Sequence, residues 1–361
     1  MTGQETKSTL TASAWTLAAA LPVAIDSYSI TPLAQPVSAT YTRRTTVIHL
    51  HGGGEESVGE DVTPTEPDQL AFWQAELSLP LAGDWTLASF AAHLDTLDLF
   101  PAAPPHPSLR SFRRWGFESA ALDLALLQAG RPLADLLGRS SRPVTFVNSL
   151  RLSDAPTIEP IRSRLALMPG LRFKLDPTSA WGDRLIAELA ATGAVDTLDL
   201  KGLYPPQAPI AQPADPDLYR RVVAAFPECW FEDPAWTPET EEILRSSRDR
   251  ITWDFPIRTV DDIENLPYPP RALNIKPARI GTLHGLLDIY AHCLRSGIAM
   301  YGGGMGELGP GRPQIQLLAS LFHPDTPNDV APVQYNRSEL SPQAPASPLV
   351  PTPATNGFRW Q

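Results

Sequence analysis

Short apolar segments alternate with amphipathic helical patterns from about residue 109 onward, and this alternation constrains the fold more than any other sequence feature. Parallel strands need a helix-length crossover between them, so the alternation indicates a parallel β-sheet. Seven repeats in about 200 residues are typical of a sheet closed into a barrel. An open doubly wound sheet is the alternative, although no GxGxxG or GxxxxGK[ST] motif follows a predicted strand. The predicted strands are 144–150, 171–175, 195–200, 229–231, 251–253, 272–275 and 297–301, and the predicted helices are 109–129, 181–191, 217–226, 240–247, 283–294 and 314–321.

A proline-rich segment at 101–107 (PAAPPHP) divides this region from an earlier one of different character. Proline is excluded from helix interiors and central strands, so the segment is predicted to be a connector. Before it, strand patterns at 25–30 and 45–51 and a helical pattern at 86–99 predict a small α+β domain. We therefore expect a first domain that ends near residue 110 and a second domain over 111–330.

The predicted strands of the second domain end in charged residues. The carboxyl ends of parallel barrel strands meet at one mouth, which is where active sites of such barrels lie. From Lys174 onward, successive charged residues are separated by about one β/α unit, so we expect them on successive strands. The strand ends read Lys174-Leu175-Asp176, Asp199-Leu200-Lys201, Glu232-Asp233-Pro234, Asp254 and Asn274-Ile275-Lys276-Pro277.

Three carboxylates that converge on one mouth repel each other unless a cation lies between them. Asp199, Glu232 and Asp254 offer hard oxygen ligands without cysteine or histidine, which favours Mg²⁺ over zinc. Lysines on either side of such an ion can transfer protons on opposite faces of a bound carboxylate substrate. Mg²⁺ and an ammonium group stabilise the enediolate that forms when the α-proton is removed.

Lysine is rare in this chain. Of its 29 basic residues, only Lys7, Lys174, Lys201 and Lys276 are lysines, and the others are arginines. Arginine supplies charge equally well, but only lysine can lose its proton or form a Schiff base. The retention of lysine at strand ends therefore points to chemistry there.

These residues, taken in order, resemble the enolase superfamily, in its muconate-lactonizing and o-succinylbenzoate synthase branch. Further similarity lies in 117–124 (FESAALDL), which resembles the first barrel helix of that branch, and in Gly304-Met305-Gly306-Glu307, which resembles the end of its seventh strand. Gly59-Glu60 resembles the GxGE motif of its capping domain. The resemblance covers nearly the whole chain.

The resemblance implies a (β/α)7β barrel with an N-terminal α+β capping domain over residues 1–110, completed by the tail 331–361. Loops near 32–44 and 52–60 would set specificity. The implied enzyme is an Mg²⁺-dependent lyase or isomerase that abstracts the α-proton of a small carboxylate, as muconate cycloisomerases, o-succinylbenzoate synthases and epimerases do. The implied roles are Mg²⁺ ligands for Asp199, Glu232 and Asp254 and an acid/base pair of Lys174 and Lys276. We further predict that Asp176, Lys201 and Glu307 contact the substrate.

Two strand ends depart from the family pattern. The second strand of the family ends Lys-x-Lys, whereas this chain has Lys174-Leu175-Asp176. Lys174 is then either the base or only a support for Asp176. The third strand ends Asp-x-Asn in the family but Asp199-Leu200-Lys201 here, and an inward Lys201 would compete with Mg²⁺ for the carboxylates. These departures leave altered chemistry, a weak metal site and loss of catalysis open.

Two other functions fit the same residues. One is a metal-free barrel aldolase in which Lys276 forms a Schiff base with a carbonyl substrate. The other is a barrel that kept the fold, lost the chemistry and now binds a ligand or partner. Chelator inhibition would oppose the aldolase, and trapping of a substrate adduct with borohydride would support it.

Composition excludes several function classes. The formal net charge of −11, from 40 acidic and 29 basic residues, gives no overall electrostatic basis for binding nucleic acid or an anionic membrane. The early apolar run 14–25 is interrupted by Pro22 and lacks a basic n-region, so it predicts neither a signal peptide nor a membrane span. Two cysteines exclude a disulfide framework, and cytoplasm is the default compartment. Homo-oligomers are common among such barrels and remain an expectation here.

Overall fold

The computed structural model describes residues 14–38, 41–75, 77–206, 208, 210–337, 339–352 and 354–360. Its first region contains α1 (Ala14–Ala19), β1 (Pro22–Ile25), β2 (Ser27–Pro36), β3 (Thr42–Gly52), β4 (Glu55–Asp61), α2 (Glu66–Gln74), β5 (Gly83–Thr86) and α3 (Leu87–Leu94). Strands β2, β3 and β4 form an antiparallel sheet, and β1 pairs with β5. The first region is therefore an α+β unit, as its sequence pattern predicts.

The predicted strand 25–30 is divided between two sheets. β1 ends at Ile25 and β2 begins at Ser27, and between them the N–H of Asp26 donates to the carbonyl of His51 at 2.7 Å. The hairpin between β3 and β4 turns through Gly53 and Gly54, whose φ angles of 60° and 81° lie in the left-handed region that favours glycine. This is the geometry that a two-residue hairpin requires.

The long helix α4 (Arg110–Gln128) connects the two regions. Its residues from Trp115 to Leu127 are buried on all sides, since β4 packs on one side of the helix and the later helix α11 (Pro277–Ile280) on another. Gly59 allows the close approach to β4, because a Cβ there would lie 2.0 Å from the carbonyl oxygen of Gly116. The packing of α4 thus holds the first region against the second.

Within the described residues of the second region, seven parallel strands pair side by side in chain order. They are β6 (Asn148–Leu150), β7 (Phe173–Leu175), β8 (Val195–Asp199), β9 (Trp230–Glu232), β10 (Ile251–Trp253), β11 (Ala272–Ile275) and β12 (Ala299–Gly302). The helices after α4 are α5 (Leu133–Leu137), α6 (Glu159–Leu167), α7 (Asp183–Ala191), α8 (Pro216–Ala225), α9 (Pro238–Leu244), α10 (Val260–Glu264), α11 (Pro277–Ile280), α12 (Leu283–Ser296) and α13 (Gly311–Phe322), with 3₁₀ turns at Pro107–Leu109, Arg245–Arg250 and Val333–Asn336. Each predicted strand of this region coincides with an observed one.

Among the described residues, single parallel bridges link the two edges of this sheet, β6 and β12. Asn328 bridges to Phe146, beside β6, and Asp329 bridges to Gly303, beside β12. Pro324, Pro327 and Pro332 surround the pair, and proline lacks the N–H that a longer ladder needs. The second region is therefore a seven-stranded parallel half-barrel with a bridge of two residues where an eighth strand is expected.

The C-terminal tail contacts both regions. Leu349 pairs with Val144 beside the parallel sheet, and the guanidinium of Arg359 lies 2.9 Å from the carboxylate of Asp123 on α4. The same guanidinium donates to the carbonyl of Glu56 in the first region at 2.7 Å. The domain division at 110/111 and 330/331 stays a prediction. Among the described residues, no helix combines the length and apolar character needed to cross a bilayer.

Candidate active site

The carboxyl ends of the parallel strands carry the predicted residues into one buried cluster. Lys174 lies in β7, Asp199 ends β8 and Glu232 ends β9, where the two carboxylate residues are paired in register. Asp254 and Lys276 directly follow β10 and β11. All five side chains are buried. The strand alternation thus positions them as the sequence predicts.

The ammonium of Lys174 lies among three carboxylates. Its Nζ is 2.6 Å from Glu232 Oε1, 3.0 Å from Asp199 Oδ2 and 3.1 Å from Asp329 Oδ2. Burial disfavours the charged lysine, but these carboxylates outweigh burial and raise the pKa of Lys174 well above its ordinary value. In this arrangement Lys174 is a cation that compensates the acidic cluster.

Lys201 is a second cation in contact with the Asp199 carboxylate. Its Nζ forms an ion pair with Asp199 Oδ2 and lies 3.8 Å from Asp176 Oδ1. Burial opposes ionisation of Asp199, but Lys174 and Lys201 hold the pKa of this carboxyl well below its usual range. Burial raises the pKa of Asp176 to about 6, against the opposing effect of Lys201. The two departures from the family pattern therefore lie beside each other.

Glu232 occupies the centre of the cluster. Besides Lys174, its carboxylate accepts hydrogen bonds from the Tyr301 hydroxyl at 2.5 Å and the Asn274 amide at 3.3 Å. Burial and the charge of Asp199 raise the pKa of Glu232 to about 8. Burial and Asp199 thus oppose ionisation of Glu232, whereas Lys174 favours it.

Asp254 is held by a different set of cations. Its Oδ2 lies 2.9 Å from Lys276 Nζ and 3.3 Å from Arg279 Nη2. Burial opposes its ionisation, but Arg279 and Lys276 lower the pKa of Asp254 to about 2. Burial likewise disfavours charged Lys276, yet Asp254 raises the pKa of that lysine above its ordinary value. The Oδ1 atom of Asp254 is buried and has no hydrogen-bond partner among the described residues.

Asp233 also joins the acidic cluster. Ligand atoms of Asp199, Glu232 and Asp233 all lie within 4.8 Å of one another, so this group differs from the predicted set by one residue. The carboxylate of Asp233 already accepts the N–H groups of Asp254 and Phe255. Burial and the charge of Asp254 raise the pKa of Asp233 to about 7.

Glu307 is placed differently from its predicted neighbours. It is buried, and its carboxylate accepts the N–H of Met305 at 2.8 Å, with no ion pair to Lys276 among the described residues. Residues of the first region form hydrogen bonds with the same loop, which follows β12. Arg43 donates to the carbonyl oxygens of Met305 and Gly306, and Glu60 accepts the N–H groups of the segment 308–311. Glu307 thus shapes the loop after β12.

Several site residues are missing from the sequence prediction. Asp329 belongs to the two-residue bridge, which has no periodic strand pattern. Tyr301 ends the last predicted strand, and its position beside the other strand ends was the available signal. Arg279 follows Lys276 within one turn of helix. Asn274 and Asp233 lie in the quoted strand-end motifs, but neither was assigned a role.

The donor set fits a hard divalent cation. Buried carboxylate oxygens at neighbouring strand ends are ligands that Mg²⁺ prefers. The unpartnered Oδ1 of Asp254 leaves one such oxygen without a compensating donor, and the side-chain oxygen of Asn274 is also buried without a partner among the described residues. An ion bound there has to compete with Lys174 and Lys201 for Asp199.

A cavity of about 250 Å³ adjoins the cluster at the strand ends. Asp329 belongs to its wall and contacts Lys174, so this residue lies between the cavity and the buried charges. Its remaining lining comes from both edges of the sheet and from α13. The lining residues are Val147, Ser149, Gly304, Gly306, Arg312, Asp329 and Ala331.

Solved structures with the same fold belong to enzymes of the enolase superfamily. A muconate lactonizing enzyme from Pseudomonas fluorescens, complexed with muconolactone, is 21% identical, with a TM-score of 0.63 over 85% of this chain and 88% of that chain. A dipeptide epimerase from Methylococcus capsulatus, complexed with Mg ion, is 19% identical, with a TM-score of 0.64 over 84% and 89%. At these identities the likeness concerns the fold.

Sequence comparison identifies the family. An o-succinylbenzoate synthase from Listeria innocua is 33% identical over 103 residues, which span 28% of this chain and 26% of that protein. The match thus covers about a quarter of the curated relative. The model of the N-terminal domain of the domain of unknown function DUF8230 matches residues 17–136, and that of its C-terminal domain matches residues 140–337. The chain therefore belongs to the DUF8230 family, and it has the fold of the enolase superfamily.

Proposed function

We propose that this chain is an Mg²⁺-dependent lyase or isomerase that removes the α-proton of a small carboxylate substrate. The observation that carries the proposal is the convergence of Asp199, Glu232 and Asp254 with Lys174 and Lys276 at the buried ends of adjacent parallel strands. We also infer that the bridge at 328–329 takes the eighth position of a (β/α)7β barrel around this site.

Asp199, Glu232 and Asp254 would hold the ion, and Asp233 would position Asp254. The ion would stabilise the negative charge that develops on the substrate carboxylate when the α-carbon loses its proton. The unpartnered Oδ1 of Asp254 supports its place in this set, since the oxygens of Asp233 are engaged by two backbone N–H groups.

Lys276 and Lys174 would exchange the α-proton from opposite sides. They contact different carboxylates, because Lys276 pairs with Asp254 whereas Lys174 pairs with Asp199 and Glu232. The two ammonium groups therefore lie at different carboxylates of the cluster, which supports separate roles for them. Arginine retains the charge of lysine but cannot give up its proton, so the chemistry requires lysine at these positions.

The adjoining cavity of about 250 Å³ accommodates a small molecule rather than a polymer. Asp329, Ser149 and Arg312 give it polar walls, which suits a charged metabolite. Asp176, Lys201 and Glu307 remain proposed substrate-side residues, with Glu307 acting through the loop that it holds.

Schiff-base chemistry at Lys276 receives less support. A lysine attacks a carbonyl only as the neutral amine. Here the Asp254 carboxylate outweighs burial and raises the pKa of Lys276, which holds the side chain in its protonated form. Removal of an α-proton needs the same neutral amine, so the feature that favours the metal-assisted reaction is the convergence of Asp199, Glu232 and Asp254 beside Lys276.

An exchange experiment tests the proposal without a known product. A library of dipeptides, N-acyl amino acids, sugar acids and other carboxylates is incubated with the protein and Mg²⁺ in D₂O, and α-deuterium incorporation is followed by mass spectrometry. We expect exchange with at least one substrate and its loss in Lys276→Arg. Arg184 has a side chain that is 91% exposed, so Arg184→Lys is the control for substituting one basic residue by another. This variant should incorporate deuterium at the wild-type rate.

Exchange at the wild-type rate in Lys276→Arg would overturn the two-lysine mechanism. Absence of exchange across the library, with Mg²⁺ binding intact, would favour a barrel that binds a ligand without catalysis. If Lys174→Arg exchanges normally while Asp176→Asn does not, the base on that face is Asp176 rather than Lys174.

A further inference from the structure

The ammonium of Lys201 lies between two carboxylates from neighbouring strands. It pairs directly with Asp199, at the end of β8, and its Nζ is 3.8 Å from Asp176 Oδ1, which follows β7. A charge-assisted hydrogen bond measures about 2.8 Å, so a movement of about 1 Å would complete the second contact. Lys201 is thus within reach of two alternative partners.

The backbone and a neighbouring ring hold Lys201 in this place. Its φ angle of 51° lies in the left-handed region, which a residue with a Cβ adopts only when its surroundings enforce it. Its N–H lies 3.3 Å from Asp199 Oδ1, and the Tyr204 ring centroid lies 5.6 Å from its Nζ. The side chain of Lys201 therefore folds back onto the carboxylate of Asp199, which ends the preceding strand β8.

A divalent ion on Asp199 would repel both lysines that contact this carboxylate. Lys174 retains Asp329 as a partner at 3.1 Å, because Asp329 is outside the proposed ligand set. Lys201 has Asp176 as its alternative, because Asp176 forms no other ion pair among the described residues. Each of the two ammonium groups thus has another carboxylate to pair with when a divalent ion binds Asp199.

We propose that Lys201 is a displaceable internal counter-ion, which neutralises Asp199 in the metal-free protein and passes to Asp176 when a divalent cation takes Asp199. The proposal rests on the metal site of the proposed function. It assigns paired roles to the two residues that depart from the family pattern, since Asp176 receives the cation that Lys201 carries. Lys201 then lowers metal affinity and stabilises the metal-free protein.

Calorimetric titration of MgCl₂ into four proteins tests this exchange. They are wild type, Lys201→Met, Asp176→Asn and the double variant. We expect Lys201→Met to bind Mg²⁺ about tenfold more tightly or better, because no ammonium competes for Asp199. We expect Asp176→Asn to bind about tenfold more weakly, because the displaced ammonium has lost its alternative partner.

The double variant separates displacement from simple charge loss. If Lys201 moves to Asp176, the effect of Asp176→Asn disappears once Lys201 is gone, so the double variant matches Lys201→Met. If Asp176 acted only through its own charge, the double variant would lose affinity by the same factor as the single variant, and the proposal would be wrong. Asp196→Asn, which removes a carboxylate of β8 that pairs with Arg172 instead, is the control for long-range charge.

Thermal unfolding supplies a second readout that needs no activity. Without metal, Lys201→Met should have a lower melting temperature than wild type. Added Mg²⁺ should raise the melting temperature of Lys201→Met by more than it raises that of wild type. If Lys201→Met does not fold, Lys201→Gln removes the same charge with a polar side chain.

Equal Mg²⁺ affinity in wild type and Lys201→Met overturns this inference but leaves the proposed metal site. Binding by the variant alone supports the inference and overturns the Mg²⁺-dependent function of the wild-type chain. Absence of binding by both overturns the metal site, and the inference with it.

Discussion

The carboxylate of Asp233 accepts the backbone N–H of Asp254 at 2.9 Å, so one acidic residue of the cluster fixes the position of the next. It also accepts the N–H of Phe255 at 2.8 Å. Asp233 adopts a φ of 47°, a left-handed value that turns its side chain toward this loop. The ligand atoms of Asp233, Asp199 and Glu232 lie within 4.8 Å of one another. The Asp233 oxygens nevertheless accept backbone N–H groups at the start of the loop after β10 and so hold that loop in place.

This relationship predicts different effects for two asparagine substitutions. Asp254→Asn should lower Mg²⁺ affinity by more than about 100-fold, whereas Asp233→Asn should lower it about 10- to 100-fold, as positioning groups do. Asp233→Asn should also lower the free energy of unfolding by about 1–3 kcal/mol, because an amide nitrogen replaces one buried acceptor. Calorimetry and urea unfolding provide the two measurements. The reverse order of Mg²⁺ affinities would make Asp233 the third ligand.

The raised pKa of Glu232 predicts that the stability of the metal-free protein depends on pH. Its pKa is raised to about 8, so the folded chain holds this proton more tightly than the unfolded chain. The stabilisation is complete below the ordinary glutamate pKa and is lost as pH rises through about 8. Glu232→Gln cannot ionise, so its melting temperature should rise relative to wild type between pH 5 and pH 9.

The control for this measurement is Glu159→Gln, whose native side chain is 72% exposed. Its melting temperature should follow wild type across the same pH range. A Glu232→Gln difference that stays constant with pH would show that Glu232 is ionised throughout in the folded protein.

Asn328 forms hydrogen bonds with the segments at both edges of the parallel sheet, so its substitution should destabilise the link between them. Its side chain accepts the N–H of Gly302 at 2.6 Å and donates to the carbonyls of Thr145 and His323 at 2.9 Å, and it is fully buried. Asn328→Ala should lower the free energy of unfolding by about 3 kcal/mol, because several buried polar groups lose their partner. Urea unfolding measures this loss.

Asn265 offers a matched control, since this exposed residue donates one hydrogen bond, to Asp261. Asn265→Ala should change the free energy of unfolding by no more than about 0.5 kcal/mol. Similar losses for the two alanine variants would mean that the bridge at 328–329 contributes little to stability.

The second region could be predicted from sequence with useful accuracy. Helical and apolar segments alternate there, and a crossover of this length forces neighbouring strands to run parallel. The carboxyl ends of such strands meet at one edge, so chain order alone brings together Lys174, Asp199, Glu232, Asp254 and Lys276. The first region was harder, because its 25–30 run is divided between β1, which pairs with β5, and β2, which pairs with β3.

Two features had no local pattern from which to predict them. The bridge at Asn328 and Asp329 is too short and too rich in neighbouring proline to show strand periodicity. Glu307 has the spacing of a site residue, but its carboxylate turns to the N–H of Met305 because the first region holds that loop through Arg43 and Glu60. Both outcomes depend on contacts between segments far apart in the chain.

The sequence by itself determined which residue types arrive at the strand ends and in what order, because strand periodicity and crossover length are properties of the chain. Only the tertiary structure decided which charges pair. Lys174 contacts Glu232 and Asp329, Lys201 contacts Asp199, and Lys276 contacts Asp254. The energy of each pair depends on separation and on exclusion of water, and both arise only when distant segments pack together.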